Sequence, residues 1–453
     1  MLPSWKPPFL AHLTAKLDPV TRGWLVVVVG NVGRMALSFA ASVLIARALG
    51  PERFATYAIL GAAMTMAGVA ADLGLTTTAV KRMAEQWPAA PEETINRGRI
   101  FFWNRAVTAV LLFVILALAA RPLASSVLGL EGISNGPLLV VLAMTGMVAV
   151  ALSGGLNAML QATHRFGALS LVNVVNAGLT TIFAVLLFIT NRLNLVTALL
   201  ILGTATTVVN ILLAYYLLPG RWPLWKIPNR LDYKQETMAL FRFGRWLWIG
   251  GLFAIIAQQL DLILVNRLTS SAAAGAYALA LNLAFKADVV NQSLYTTLLP
   301  AASGLSGREG IGRYLRRSLA RSGVIALGLL LLIPLARPFI VTFYGPDYAP
   351  AVPLFQLLIG MVLLDLFTLP VILLAFPLNQ PRLLAAADGL RMVVLFGGAL
   401  LLIPIFGPGG AAAAKIVAKV AGFLLILIFL NAKTQRLQKN AGKDAEENNK
   451  NVE

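Results

Sequence analysis

Five positively charged side chains lie inside stretches of this sequence that are long and apolar enough to cross a bilayer: Arg34, Lys286, Arg391, Lys415 and Lys419. A charge at the centre of a membrane costs at least about 2.5 kcal/mol, and such residues usually face a bundle interior or a wet cavity on the path of a substrate or ion. Arginine and lysine offer charge-assisted hydrogen bonds that replace the hydration of phosphate, pyrophosphate or carboxylate. The set therefore predicts a binding cavity for an anion.

Two of these cations extend polar stripes along otherwise apolar helices. Asn31 and Arg34 share a face of the first predicted helix, and Asn282 and Lys286 share a face of the eighth. Arg34 is too deep to reach the membrane surface easily. The alternative for each cation is a purely structural pair with a carboxylate on a neighbouring helix. We predict that these four residues bind substrate.

The other three cations have alternatives that the sequence leaves open. Arg391 follows Asp388 by three residues, a spacing that lets the two neutralise each other, so a local pair and a substrate contact are both plausible. Lys415 and Lys419 are four residues apart on one helical face. Lys415 is predicted near the outer end of its helix, where its long side chain could reach the interface. All three are kept as substrate-binding candidates.

Acidic residues also fall within the predicted helices. Asp365 is central in the tenth helix and could be protonated, pair with a cation, or bind a coupling H⁺ or Na⁺. The candidates for ion coupling are Asp365, Asp261, Asp288 and Asp72. No cofactor is expected beyond such an ion.

Composition predicts an all-α polytopic membrane protein. Hydrophobic residues make up 58% of the 453, charged residues only 12%, and the mean hydropathy is +0.79. Runs of about 20 apolar residues, each sufficient to span the hydrocarbon, recur along the chain. We predict about twelve helices, at 23–47, 55–80, 100–120, 137–160, 166–190, 195–218, 243–267, 274–300, 319–343, 350–377, 382–404 and 409–431. The segment before the first helix is too polar for a cleavable signal.

The net charge of +18 is concentrated on one side of the predicted topology. With an even number of helices, most lysines and arginines fall in segments that would be cytoplasmic if both termini are cytoplasmic, as the positive-inside rule requires. The surplus of positive charge is thereby explained without nucleic acid, although it can contact anionic lipid. The absence of cysteine excludes disulfides and thiolate metal sites.

The two halves of the chain repeat each other. Residues 44–60 align without a gap with 264–280, and 120–129 align with 336–345 at a nearly equal offset. A duplicated six-helix unit would keep both copies in one orientation, with a site at their interface near the midplane. The predicted domains are an N-terminal lobe at 1–218, a cytoplasmic linker at 219–240, a C-terminal lobe at 241–431 and a disordered tail at 432–453.

Several catalytic classes are disfavoured by missing features. The sequence has no G-x-x-x-x-G-K-[ST] loop for nucleotide phosphates. His12 and His164 are the only histidines, too few for an imidazole zinc site. No predicted outside loop is long enough for a catalytic module, so the chain is predicted not to be an enzyme.

Several segments, in order, resemble polysaccharide-export flippases of the multidrug/oligosaccharidyl-lipid/polysaccharide (MOP) superfamily. They are ARALGPERFATYAI, VAADLGL, QQLDLILVNRLTSSAAAGAYALALNL, FYGPDYAPAVPLFQLLI and GPGGAAAAKIVAKV, and the resemblance covers essentially the whole chain. It implies two six-helix bundles forming a V around a cationic cavity that opens alternately to each side. By the same resemblance, Arg34 and Lys286 would hold the anionic head of the substrate. The positions of Lys415 and Lys419 in the twelfth predicted helix make them candidate auxiliaries.

The resemblance also implies a substrate, a location and partners. The substrate would be an undecaprenyl-pyrophosphate-linked oligosaccharide, moved to the periplasmic leaflet of a bacterial inner membrane for O-antigen, capsule or exopolysaccharide synthesis. Membrane lipids and a polysaccharide polymerase or export machinery would be partners. One alternative is a cation-coupled multidrug antiporter, whose site should be acidic and aromatic; here five deep cations equal five deep acids, and the excess of positive groups on helices 1, 8 and 12 favours an anion. The other is a membrane polysaccharide polymerase or ligase, which would need a larger loop.

Overall fold

The structure is a computed structural model that describes residues 19–133, 135–220, 222–227, 230–303, 308–375 and 381–450. Within these ranges every regular element is helical. The longer helices are α1 (Pro19–Asp72), α2 (Leu75–Gln86), α3 (Pro91–Leu118), α4 (Gly136–Ala162), α5 (Phe166–Ile189), α6 (Thr206–Tyr216), α7 (Arg230–Leu268), α8 (Ser271–Ala287), α9 (Val289–Ser303), α10 (Arg308–Leu330), α11 (Leu332–Tyr344), α12 (Ala351–Ile372), α13 (Pro381–Phe406) and α14 (Pro408–Lys450).

Short helical turns complete the described connections. They are helical turns at Ala120–Pro122 and Leu195–Thr197, wider π-helical turns at Leu123–Val127 and Ala198–Ala205, and 3₁₀ turns at Pro346–Tyr348 and Leu373–Ala375. The Asn194 side chain accepts a hydrogen bond from the Thr197 amide and so caps the turn at Leu195–Thr197.

Eleven segments of the described chain are long and apolar enough to cross a membrane. The prediction of an all-α polytopic membrane protein is confirmed, and the difference from the predicted twelve lies in α1. This helix contains two arms joined at Gly50, whose φ of 67° and ψ of 171° are not helical. Glycine tolerates this positive φ, and Pro51 starts the second arm because proline fits a helix's first turn.

The chain divides into two compact units, Met1–Gln259 and Leu260–Glu453, with the division falling inside α7. The first unit is built from α1 to α6 and the first part of α7. The second unit is built from the rest of α7 and α8 to α14. The predicted linker at 219–240 precedes this division, and its residues 221, 228 and 229 lie outside the described residues.

Residues 222–227 pack against α3 within the first unit. Trp222 is 0% exposed, and the Trp103 indole N–H donates to the Leu224 carbonyl at 3.0 Å. The Trp222 ring lies against Gly98 of α3 and is wholly covered by protein. Trp225 is exposed and packs at 4.9 Å between ring centroids on Tyr215.

The Trp222 pocket depends on a glycine. A Cβ at Gly98 would lie 2.2 Å from Cζ3 of the Trp222 ring. We expect Gly98→Ala to lower the free energy of unfolding by about 1–3 kcal/mol, because overpacking forces a buried ring to move. Thermal unfolding in detergent followed by tryptophan fluorescence measures the change. Gly167→Ala is the control, because a Cβ there meets nothing within 4 Å. Equal melting temperatures for both variants would contradict the packing described.

The end of the chain differs from the sequence-based expectation. Composition predicted a disordered tail from 432, whereas α14 continues as helical backbone to Lys450. Once a helix exists, each further residue adds a hydrogen bond without a new nucleation cost, and Ala, Lys, Gln and Glu favour the helical state. Residues 451–453 lie outside the described residues.

Candidate functional site

Arg34 lies in the first arm of α1 with its side chain exposed. Asn31, which shares its face, is also exposed. The adjoining side of α1 packs on α5, where the Thr181 hydroxyl donates to the Leu37 carbonyl at 2.9 Å. Among the described residues Arg34 has no carboxylate partner. This guanidinium is therefore available to a ligand.

Lys286 lies in the last turn of α8, which ends at Ala287 because the backbone turns at Asp288. Its ammonium donates to Oδ1 of Asn282, so the predicted polar face of these two residues is present. In the described part of the chain no carboxylate pairs with Lys286. A neutral amide holds this cation in position while leaving its charge uncompensated.

Lys415 belongs to a buried cluster in the second unit. Its Nζ donates to Oδ2 of Asp261 at 2.6 Å, and the Tyr277 hydroxyl donates to the same oxygen. The Lys415 and Asp261 side chains are only 7% and 0% exposed, and the Phe285 ring lies 5.6 Å from the ammonium. Lys415 therefore does not reach an interface as expected for a snorkelling lysine, because its partner holds it inside the unit.

A second cluster on α12, α13 and α14 is half-exposed. Lys419 donates to Oδ2 of Asp365, and the two side chains are 27% and 26% exposed. Arg391 donates from Nη1 to Oδ1 of Asp388 at 2.9 Å, which is the local pair that their spacing allowed. Asp288 and Arg391 are close enough to act electrostatically on the Asp365 carboxylate. We call Asp365, Lys419, Asp388 and Arg391 the half-exposed cluster.

Asp288 is held separately at the turn between α8 and α9. Its Oδ1 accepts from the Asn291 amide at 2.9 Å, and the same amide donates to the Val362 carbonyl at 2.9 Å. This bridge ties the turn to α12. Asp288 is thus engaged by a neutral group, and it does not pair with Lys286.

Arg105 is a deep cation that the sequence analysis missed. The predicted third helix, at 100–120, puts Arg105 near its cytoplasmic end, but α3 begins at Pro91, and Arg105 lies well within this membrane-spanning helix. Its guanidinium pairs with Oδ1 of Asp72 and donates to the Ala151 carbonyl at 3.2 Å. The signal was present: a proline in the first turn followed by Glu92 and Glu93 is typical of a helix N-terminus.

The deep charged residues that the structure describes fall into two groups, those with an oppositely charged partner and those without one. Of the four candidate acids, Asp72, Asp261 and Asp365 each pair with an arginine or lysine, and Asp288 accepts from an amide. Within the described chain, Arg34 and Lys286 are the deep cations without a carboxylate. Paired charges are compensated at membrane depth, whereas these two need a counter-charge from elsewhere.

The helical architecture can be compared with that of solved membrane proteins. An inward-facing multidrug resistance transporter of the MATE family, titled as a MOP superfamily member, has a TM-score of 0.71 at 15% identity, covering 88% of this chain and 96% of its own. The lipid II flippase MurJ, in an inward closed conformation, has a TM-score of 0.72 at 13% identity, covering 90% and 87%. At such identities the likeness establishes the fold. The chain has the fold of these MOP superfamily proteins.

Residues 20–306 match the family described as polysaccharide biosynthesis protein, and since this is more than half of the sequence, the chain belongs to that family. It is 23% identical over 210 residues to the probable flippase AglR of Haloferax volcanii, covering 45% of this chain and 44% of AglR. It is 26% identical over 201 residues to the uncharacterized membrane protein EpsK of Bacillus subtilis, covering 42% and 39%. These matches span less than half of either relative.

Family and fold are consistent with each other. The protein is a multi-pass α-helical membrane protein of the polysaccharide biosynthesis protein family, and its fold is similar to that of MOP superfamily transporters. The similar proteins named here are a probable flippase and transporters, which agrees with the prediction of a protein that is not an enzyme. The resemblance identified from the sequence is thereby confirmed.

Proposed function

We propose that this transporter moves an undecaprenyl-pyrophosphate-linked oligosaccharide from the cytoplasmic to the periplasmic leaflet by alternating access. The observation that carries the proposal is the pair of deep cations, Arg34 and Lys286, that have no carboxylate among the described residues. A pyrophosphate supplies the missing negative charge. The sugar and the polyprenyl chain lack such a charge, so the cations would recognise the group common to every such substrate.

The chemistry of the two cations suits a pyrophosphate. The planar guanidinium of Arg34 can donate two parallel hydrogen bonds to one phosphate, and the ammonium of Lys286 acts as a compact charge. The Asn31 and Asn282 amides on the same faces offer neutral donors for the remaining oxygens. Asn31 and Arg34 belong to the first compact unit and Asn282 and Lys286 to the second, and the name headgroup site is used below for these four proposed contact residues.

The distribution of basic residues supports a bacterial inner-membrane location with both termini in the cytoplasm. In that orientation the lipid-linked glycan would be collected where cytoplasmic transferases finish it. A polysaccharide polymerase and export machinery would take it up on the other side. AglR, a probable flippase, and MurJ, a lipid II flippase, provide the analogy for a lipid-linked substrate.

A cation-coupled multidrug antiporter is the second candidate, favoured by the fold likeness to a multidrug resistance transporter. Such a protein needs carboxylates that are open to a cation. Here Asp72, Asp261 and Asp365 are each occupied by a cationic side chain, and Asp288 by an amide. Binding Na⁺ or an organic cation would first require breaking one of these contacts, which disfavours this reading. H⁺ and Na⁺ remain candidate coupling ions in the proposed cycle.

The two functions are separated by transport in proteoliposomes that contain the purified full-length protein. We expect a fluorescent undecaprenyl-pyrophosphate-linked oligosaccharide to become accessible in the opposite leaflet at a rate that rises with the amount of protein. An organic dye cation under an imposed H⁺ or Na⁺ gradient should not be exchanged above the rate of empty liposomes. Dye exchange without glycan-lipid movement would overturn the proposal and establish the antiporter.

A further inference from the structure

The chain contains two Asp–Lys pairs that differ in exposure. The Asp261–Lys415 pair is buried, with an additional hydrogen bond from Tyr277 and a nearby Phe285 ring. The Asp365–Lys419 pair leaves about a quarter of each side chain exposed. A buried pair is costly to separate because each charge loses its charged partner in a low dielectric. A pair that is partly open costs less to separate, because water or a ligand can reach the released groups.

The half-exposed cluster contains two partly open Asp–cation pairs, Asp365–Lys419 and Asp388–Arg391. Asp388 is 61% exposed and Arg391 is 29% exposed. A Cβ at Gly422 on α14 would lie 2.3 Å from Nε of Arg391, so the absence of a side chain there lets Arg391 lie against α14. Lys419 is one helical turn away on the same helix. Two cations are thereby brought together, each held by an exchangeable carboxylate.

From this geometry we propose that Asp365 and Asp388 are internal substitutes for the substrate anion. They hold Lys419 and Arg391 while the site is empty, and the pyrophosphate displaces them when it binds. The inference rests on the proposed function. It adds Lys419 and Arg391 to the residues that are proposed to bind the headgroup. It makes the two aspartates residues that tune affinity, not residues that contact the substrate.

This exchange solves a problem of charge at membrane depth. Two further uncompensated cations, beside Arg34 and Lys286, would be costly in a low dielectric, and cations held in permanent strong pairs would not bind an anion. The internal pairs keep Lys419 and Arg391 compensated while no anion is bound. A diphosphate carries more charge than one carboxylate and can engage both cations. It can therefore compete with the two aspartates for these cations, whereas a neutral lipid cannot. Re-formation of the pairs would help to expel the anion at the end of the cycle.

The inference predicts that removing an internal carboxylate strengthens substrate binding. We expect Asp365→Asn to bind undecaprenyl pyrophosphate about two- to tenfold more tightly than the unaltered protein, because the amide competes less well for Lys419. Asp388→Asn should change affinity in the same direction by freeing Arg391. Affinity is measured by titrating the purified full-length protein in detergent and following tryptophan fluorescence. A purely structural role for either aspartate would not tighten binding.

The matched control is Glu85→Gln. It removes one negative charge from an exposed pair with Lys81, at 3.8 Å, outside the half-exposed cluster. Its affinity should equal that of the unaltered protein, which separates a local effect from net charge. Should Asp365→Asn fail to fold, Asp388→Asn alone decides, because its exposed side chain contributes little to stability.

Failure of this inference can be told from failure of the proposed function. Unchanged or weaker affinity in the aspartate variants, with the unaltered protein still preferring undecaprenyl pyrophosphate over undecaprenol, would overturn the internal-substitute inference alone. Equal tightening in Glu85→Gln would do the same. An unaltered protein without any preference for the diphosphate lipid would overturn both.

Discussion

Alanine at Arg34 or Lys286 is expected to abolish surface-polysaccharide display while the protein still inserts and accumulates normally. Each cation would supply charge-assisted hydrogen bonds of about 1.5–3 kcal/mol, so its loss should weaken substrate binding about tenfold to a hundredfold. Neither residue has a carboxylate partner among the described residues, so its removal leaves no internal acid uncompensated. The measurement is polysaccharide display in the source bacterium with only the variant gene.

Conservative variants sharpen that experiment. Lys286→Arg keeps the charge and should retain most display, whereas Arg34→Lys loses the planar fork and should retain less. Lys81→Ala, which removes an exposed cation from a surface pair, is the control for net charge and should display normally. Full polysaccharide display by both alanine variants at normal protein levels would contradict the assignment of Arg34 and Lys286 to the headgroup site.

Asp261→Asn is expected to be the most destabilising single change considered. It leaves Lys415 charged and 93% buried beside an amide, and breaking one partner of a buried pair typically costs about 3–5 kcal/mol. The Tyr277 hydroxyl also loses its ionised acceptor. The loss of stability should appear as a lower midpoint temperature of thermal unfolding, measured in detergent.

A double variant distinguishes a charge effect from a packing effect. Asp261→Asn with Lys415→Met removes both charges and should recover part of the stability, because no unpaired ion remains buried. Asp388→Asn breaks an exposed pair and should leave the midpoint nearly unchanged. If Asp261→Asn melts like Asp388→Asn, the buried cluster does not stabilise the second unit.

Local sequence patterns predicted the features whose partners are near in the chain. Apolar run lengths gave the spanning helices, and spacing gave the Asp388–Arg391 pair and the Asn282–Lys286 contact. The ordered family segments gave the superfamily. These succeed because a helix and its i, i+3 or i+4 contacts are set by residues within one or two turns.

Partners distant in sequence account for what was missed. Lys415 looked like a helix-end lysine because Asp261 is on another helix, 154 residues earlier. Arg105 was expected near the end of its helix because the predicted third helix starts at 100, whereas α3 begins at Pro91. The burial of Trp222 against Gly98 depends on packing between segments that are distant in the sequence. Composition shows which side chains are costly to bury. Tertiary packing decides which of them are buried and with what.

The most direct test of the central claim compares undecaprenyl pyrophosphate with undecaprenol, which has the same chain and no phosphate. The two lipids are titrated into the purified unaltered protein and into the Arg34→Ala/Lys286→Ala double variant. The account predicts that the unaltered protein prefers the diphosphate by at least about tenfold and that the double variant loses this preference. Equal affinity for both lipids in the unaltered protein, or an intact preference in the double variant, would contradict it.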